Sequence, residues 1–273
     1  MARIEPYWHT AEDLDNFLFS IKKVERSGYT DFSDVPQTRL SFYTFTYLTE
    51  GEILLEIEGK TYLCQAGQVL LIPQKSPFRV LYFKGNAGYE CGFSLRVLKD
   101  LSYECLRNPH PLLQSFMDTE RTFTTLLLEQ LQKAFVKKDY RQVNSALDLF
   151  LCRLQSPEDH PSNPTVLRFL EKVFDRSRKP GKVSDYADEL CITPNYLNRL
   201  VRNQTRHSAM DWIEISRINL AKTLLKENEL QIAEIAVATG IDDQSYFTRF
   251  FKKNAGCTPS QYRDLVLKST KNH

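Results

Sequence analysis

The chain lacks any run of the 18 or so apolar residues that a membrane span requires. Its first residues, Met1-Ala2-Arg3-Ile4-Glu5, also lack the apolar core of a secretion signal. No membrane partner is expected from such a chain. Histidine is scarce, with five in 273 residues and none between His9 and His110. A metal site built from an H-x-H pair on β-strands is therefore excluded from that stretch. The six cysteines (Cys64, Cys91, Cys105, Cys152, Cys191 and Cys257) form no C-x-x-C pair. That scatter argues against a zinc site or a disulfide framework and for free thiols in a reducing cytoplasm. No metal and no cofactor is expected.

What is present is the composition of a globular protein, 42 % hydrophobic and 26 % charged, long enough for two domains. The charge is unevenly spread. Residues 1–163 carry 18 Lys and Arg against 21 Asp and Glu, whereas residues 164–273 carry 18 against 13. The formal +2 thus divides into −3 and +5, which points to a polyanion partner for the C-terminal part alone.

From about Arg39 to Phe93 the sequence reads as short β-strands. Thr44–Leu48 leads to a turn at Glu50-Gly51, then Ile53–Ile57, a tight turn at Glu58-Gly59-Lys60, and Thr61–Leu63. Val69–Ile72 and Phe78–Phe83 follow, set off by Ala66-Gly67 and Pro73. Strands of four to six residues between Gly and Pro turns indicate a sandwich or small barrel. Gly88-Tyr-Glu-Cys-Gly92 has the outline of a nucleophile elbow, but Glu90 stands at its centre and Cys91 reads as a buried strand cysteine.

From about Phe116 the period changes. Phe123, Leu127, Leu131 and Phe135 recur at four-residue steps, and Leu147, Phe150, Leu151 and Leu154 at three and four. These are two amphipathic helices separated by Lys137-Lys138-Asp139. They offer either subunit pairing or one more layer of core. Residues 156–163, with two prolines and no bulky apolar side chain, read as a linker. Beyond it Asn163-Pro164, Thr193-Pro194 and Thr258-Pro259 each place a capping side chain before a proline at the first helical position.

An internal repeat is the most informative feature. VSDYADELCI (183–192) lies over IAEIAVATGI (232–241), with Ala187 on Ala236 and Ile192 on Ile241. After one extra residue in the second copy, YLNRLVR (196–202) lies over YFTRFFK (246–252), and Trp212 over Tyr262. Each copy is a short helix, a turn and a second helix, which is a helix-turn-helix. Gly240 suits the turn's positive φ, and Cys191 occupies that place in the first copy. Between the copies, Ser208 to about Lys226 reads as one helix of about 28 Å, a strut that would set two reading helices on successive major-groove faces ~34 Å apart.

The second helices carry side chains able to read bases on the face opposite their apolar positions. In the first copy these are Asn195, Asn198 and Arg199; in the second, Gln244, Ser245, Thr248 and Arg249. Arg pairs bidentately with guanine, and Asn or Gln with adenine. Arg202, Lys252 and Lys253 suit phosphates.

With these residues in view, residues 164–268 resemble the DNA-binding domain of AraC/XylS-type transcription regulators. The stretch from Ile232 to Arg263 follows that family's signature, and the order and spacing match over about 100 residues. Cys191 in the first turn and Arg206 before the next helix stand where the family usually has glycine or another small residue. The N-terminal half resembles the family's cupin-like domain through Glu50-Gly51-Glu52, Glu58-Gly59-Lys60, Ala66-Gly67-Gln68 and Ile72-Pro73. The resemblance implies an α+β chain with a cupin-like regulatory barrel at 1–110, a helical dimerisation element at 111–155, a linker at 156–163 and a double helix-turn-helix at 164–273. It implies a cytoplasmic activator or repressor that binds duplex DNA as a homodimer and, if an activator, meets RNA polymerase. A small-molecule effector in the barrel is the further expectation. Tyr43, Phe45, Tyr47, Tyr62, Tyr82 and Phe93 either line such a pocket or simply fill the barrel, and Arg39 either meets an anionic effector or pairs on the surface. The competing readings are a regulator without effector, whose barrel serves only dimer or partner binding, and a cupin enzyme with a DNA-binding tail, against which the missing histidines stand.

Overall fold

The computed structural model describes residues 19–25, 38–98, 102–107, 109–154, 163–175 and 177–271. They fall into two compact units that part at His160 and Pro161. The expected linker therefore lies outside the described residues, apart from Asn163.

The first unit is built on one antiparallel sheet of β1 (Phe19–Glu25), β2 (Tyr43–Ile57), β3 (Lys60–Gln65), β4 (Gln68–Ile72), β5 (Phe78–Phe93) and β6 (Leu112–Ser115). The order is β1-β5-β2-β4-β6, with β3 on β2. Two expectations are corrected here. Glu50-Gly51 makes no turn, because β2 runs straight through it and stays paired with β5 from Tyr43↔Phe93 to Ile57↔Phe78. The glycine is still required: its register shift brings the strands so close that a Cβ on Gly51 would lie 2.3 Å from the Gly85 carbonyl oxygen. Likewise the strand starting at Phe78 does not end at Phe83 but continues to Phe93, so Gly88–Gly92 is strand and not an elbow. Cys91 is fully buried there, and burial pushes its thiol well above the ordinary cysteine range.

After the short α1 (Glu104–Arg107) come α2 (Asp118–Val136) and α3 (Tyr140–Cys152). Both lie on one face of the sheet. Leu128, Leu131 and Ala134 of α2 and Val143, Leu147, Phe150 and Leu151 of α3 share a core with Tyr43, Phe45, Tyr47, Val69, Leu71, Cys91 and Phe93. The α2 stripe is rotated from the expected one: Thr124, Leu128, Leu131 and Ala134 are buried, whereas Phe123 is exposed and Leu127 and Phe135 are only half-buried. Small Thr124 and Ala134 let the helix lie close to the sheet, which bulkier Phe123 and Phe135 on that line would prevent.

The second unit is all helix: α4 (Pro164–Val173), α5 (Val183–Glu189), α6 (Pro194–Thr205), α7 (Ala209–Glu227), α8 (Ile232–Ala238), α9 (Gln244–Ala255) and α10 (Pro259–Lys271). Long α7 packs against α4, α5 and α6 and also against α8, α9 and α10, so one helix serves both halves. Trp212 is its anchor, fully buried, with its indole N–H donating to Thr205 Oγ1 at 2.9 Å. Among the described residues no helix is long and apolar enough to cross a membrane.

Candidate nucleic-acid interface

The repeat seen in the sequence is a repeat in the structure, down to the caps. Both first helices, α5 and α8, open with a backbone N–H donating to the carboxylate three residues on: Lys182 to Asp185 and Gln231 to Glu234, each at 2.7 Å. Both second helices, α6 and α9, have 12 residues. Thr193 accepts from the Tyr196 N–H at 3.2 Å, and Asp243 from the Tyr246 N–H at 2.6 Å. The same satisfied donors therefore start each second helix at the same place.

What each second helix buries also repeats. Leu197 and Val201 in α6, and Phe247 and Phe251 in α9, face the core. At 100° per residue the opposite face then carries Asn195, Arg199 and Arg202 in one copy and Ser245, Arg249 and Lys252 in the other. All six are exposed, as are Gln244 and Lys253. Among the described residues Arg199, Arg202, Arg249, Lys252 and Lys253 have no carboxylate at ion-pairing distance. Arg178 and Lys172 of the same unit, in contrast, pair with Glu189. The two second helices thus present unneutralised positive charge beside amide and hydroxyl groups.

Two of the expected contact residues are placed differently. Asn198 is half-buried, and its side-chain oxygen accepts from the Ala209 N–H at 3.1 Å, which satisfies an orphan donor at the start of α7. Thr248, at the same position in the second copy, is half-buried and donates its hydroxyl to the Gln244 carbonyl at 2.9 Å. Each side chain thus makes one bond to the protein's own backbone. Tyr196 and Tyr246, conversely, are not among the expected contacts although they align in the repeat. They are 41 % and 50 % exposed on the first turn of each second helix, and Arg199 lies 5.1 Å over the Tyr196 ring. An aromatic repeated at a solvent-facing position was the signal that could have found them.

The positive-φ positions repeat as well. Gly240 (φ 80°) and Gly256 (φ 79°) in the second copy are matched by Cys191 (φ 55°) and Arg206 (φ 60°) in the first. The first copy thus keeps the turn geometry with residues that carry a Cβ.

In the first unit, the aromatic candidates divide. Tyr43, Phe45 and Phe93 are filled in beneath α2 and α3, whereas buried Tyr47 lines a hollow of about 330 Å³ together with Thr49, Gly67, Arg121, Thr122, Thr125 and Leu126. Tyr82 is buried too, its hydroxyl donating to Glu52 at 3.2 Å, and Tyr62 is buried in β3. Arg39 is exposed. The face of the sheet away from the helices is different in character. Lys22, Glu90 and Thr46 stand side by side across β1, β5 and β2, flanked by Ser20 and Thr44 beside Gly92. Lys22 and Glu90 form a half-buried pair at 3.4 Å. The glycines at 88 and 92 leave that face without side chains on either side of Glu90.

Comparison with known proteins agrees with this division. Residues 24–99 match the family described as AraC-like ligand binding domain, and residues 186–264 the family described as helix-turn-helix domain. The arabinose operon regulatory protein of Salmonella typhimurium is 24 % identical, covering 91 % of this chain and 92 % of its own, and that of Escherichia coli is 23 % identical, covering 91 % and 89 %. Among solved structures, the C-terminal domain of AraT, a response regulator from Geobacillus stearothermophilus, is 32 % identical over 39 % of this chain and 88 % of its own, with a TM-score of 0.36. Together the two family matches span more than half of the chain, one in each unit, and the chain belongs to the AraC/XylS family of DNA-binding transcription regulators.

Proposed function

We propose that this regulator grips duplex DNA as a twin reader, with the N-terminal turns of α6 and α9 in successive major-groove faces. Asn195, Arg199, Gln244, Ser245 and Arg249 contact base edges, and Arg202, Lys252 and Lys253 contact phosphates. Asn198 and Thr248 serve instead to hold their helices. The observation that carries this reading is the matched presentation of α6 and α9: equal lengths, the same capping, and exposed, unpaired arginines at the same offset. Footprinting the full chain on genomic fragments tests it. Two protected patches one helical turn apart are expected, and a single patch would overturn the twin grip.

The sheet face around Lys22, Glu90 and Thr46 supports an effector site. The pair is neutral as a whole and is bordered by hydroxyls and glycines, which suits a small uncharged molecule able to both donate and accept hydrogen bonds. Titrating uncharged and anionic metabolites against melting temperature tests it, because a ligand that prefers the folded state must raise that temperature.

In this reading residues 1–110 form the effector domain, 111–155 the dimerisation element, 156–163 the linker and 164–273 the DNA-binding domain. Homodimer formation is supported by apolar side chains left exposed on α2 and α3: Phe123, Leu126, Val136, Tyr140 and Leu149. The protein acts in the cytoplasm without catalysis of its own, and as an activator it would meet RNA polymerase.

A further inference from the structure

The stretch that leads into the first helix-turn-helix, Ser177 to Lys182, also touches the second. Lys179 Nζ lies 3.2 Å from the Asp242 carboxylate in the α8–α9 turn. The Gly240 Cα in that turn comes so close to this stretch that a Cβ would lie 2.2 Å from the Pro180 carbonyl oxygen. From the middle of α7, buried Arg217 reaches the same spot, its Nη2 donating to the Gly181 carbonyl at 2.9 Å and standing 3.4 Å from where that Cβ would be. The Gly181 N–H in turn donates to the Tyr186 hydroxyl inside α5 at 3.2 Å. The leader of the first motif, the strut and the turn of the second therefore meet at one point.

A strut alone would fix the two reading helices poorly. Helices bend, and a change of about 10° over about 28 Å moves one end by roughly 5 Å, more than the ~3.4 Å rise of a base pair. We propose that Arg217, Pro180 and Gly240 form a clasp that holds α6 and α9 at one separation and so sets which spacing between half-sites the protein accepts. The clasp touches no base. Arg217 and Gly240 are positioning residues, acting through the placement of Arg199 and Arg249. The inference rests on the twin-reader function proposed above.

The test is selection by the full chain from a pool of duplexes with about 30 randomised base pairs, followed by titration of one-half-site and two-half-site duplexes. The wild type is expected to enrich two half-sites at a single spacing. Gly240→Ala, which drives a methyl into the Pro180 carbonyl, and Arg217→Gln, which withdraws the guanidinium, are expected to enrich the same half-sites at several spacings. Their affinity for one half-site should stay within about twofold of wild type, while that for two falls about tenfold or more, because the second contact is no longer held at a useful effective concentration. Should Gly240→Ala not fold, Arg217→Gln decides. Variants that keep the single spacing, or that lose one-site and two-site binding equally, overturn the clasp. A wild type that enriches no two-site motif overturns the twin-reader function itself, and the clasp with it.

Discussion

The first copy's left-handed residues give a prediction that can be worked through in numbers. Cys191 and Arg206 sit at φ 55° and 60°, where their counterparts Gly240 and Gly256 have φ 80° and 79°. A residue with a Cβ is about 1–2 kcal/mol less favourable than glycine in this region. Replacing it by glycine returns about 0.5–1 kcal/mol through the freer unfolded chain. The difference leaves each of Cys191→Gly and Arg206→Gly more stable by about 0.5–1 kcal/mol, since both side chains are exposed and no packing is lost. In a unit of this size 1 kcal/mol corresponds to roughly 4 °C, so each substitution should raise the melting temperature by about 2–4 °C and the pair by about 4–8 °C. Calorimetry of the full chain reads this directly, in the transition of the C-terminal unit. The reverse changes supply the control. A Cβ on Gly256 meets nothing within 4 Å, so Gly256→Ala should cost only the strain, whereas Gly240→Ala meets the Pro180 carbonyl and should cost clearly more. Equal melting temperatures for wild type and the double glycine variant would refute the reasoning.

Arg249→Ala should lose about 1–3 kcal/mol on the selected duplex and relax preference at one base position, and unchanged binding would mean that the second reading helix is misplaced. Lys252→Ala should weaken binding about equally on all sequences and lower the salt slope by about one, so a loss confined to the cognate sequence would tell against a phosphate contact. Hydrogen bonds from Arg178, and then from Lys172, hold the Glu189 carboxyl down at about 2. A depressed carboxylate stabilises the fold above its unfolded value near 4.5, and the stabilisation fades as pH falls towards 2. Wild type should therefore melt above Glu189→Gln at pH 7 and converge with it by about pH 2; a gap that stays constant with pH would refute the ion-pair origin. Leu126→Glu with Val136→Glu, placed on the exposed apolar side of α2, should halve the mass seen in sedimentation, and a wild type that is already monomeric would refute pairing there.

Local chemistry made much of the second unit legible. Asn163, Thr193 and Thr258 cap the helices they precede, and the Gly240 turn has its positive φ, because a cap or a turn is decided by residues within a few positions of each other. At Glu50-Gly51 local chemistry does not suffice. A glycine after a polar residue is the same signal for a turn and for a bulge, and only the continuous partner strand β5 distinguishes them. Phe123 and Phe135 misled for a related reason: period shows that a helix has an apolar side, but the sheet beneath selected the side with the smaller residues.

By itself, then, the sequence determined the two repeated motifs, their caps, the strut and the division into a sheet-rich half and a basic helical half. Tertiary structure alone decided that Asn198 accepts from the first N–H of α7, that Tyr43, Phe45 and Phe93 are sealed under helices, and that Arg217 meets Gly181. The first set depends on interactions within one or two turns of chain. The second depends on which distant backbone arrives beside a side chain, and no spacing along the chain encodes that neighbour.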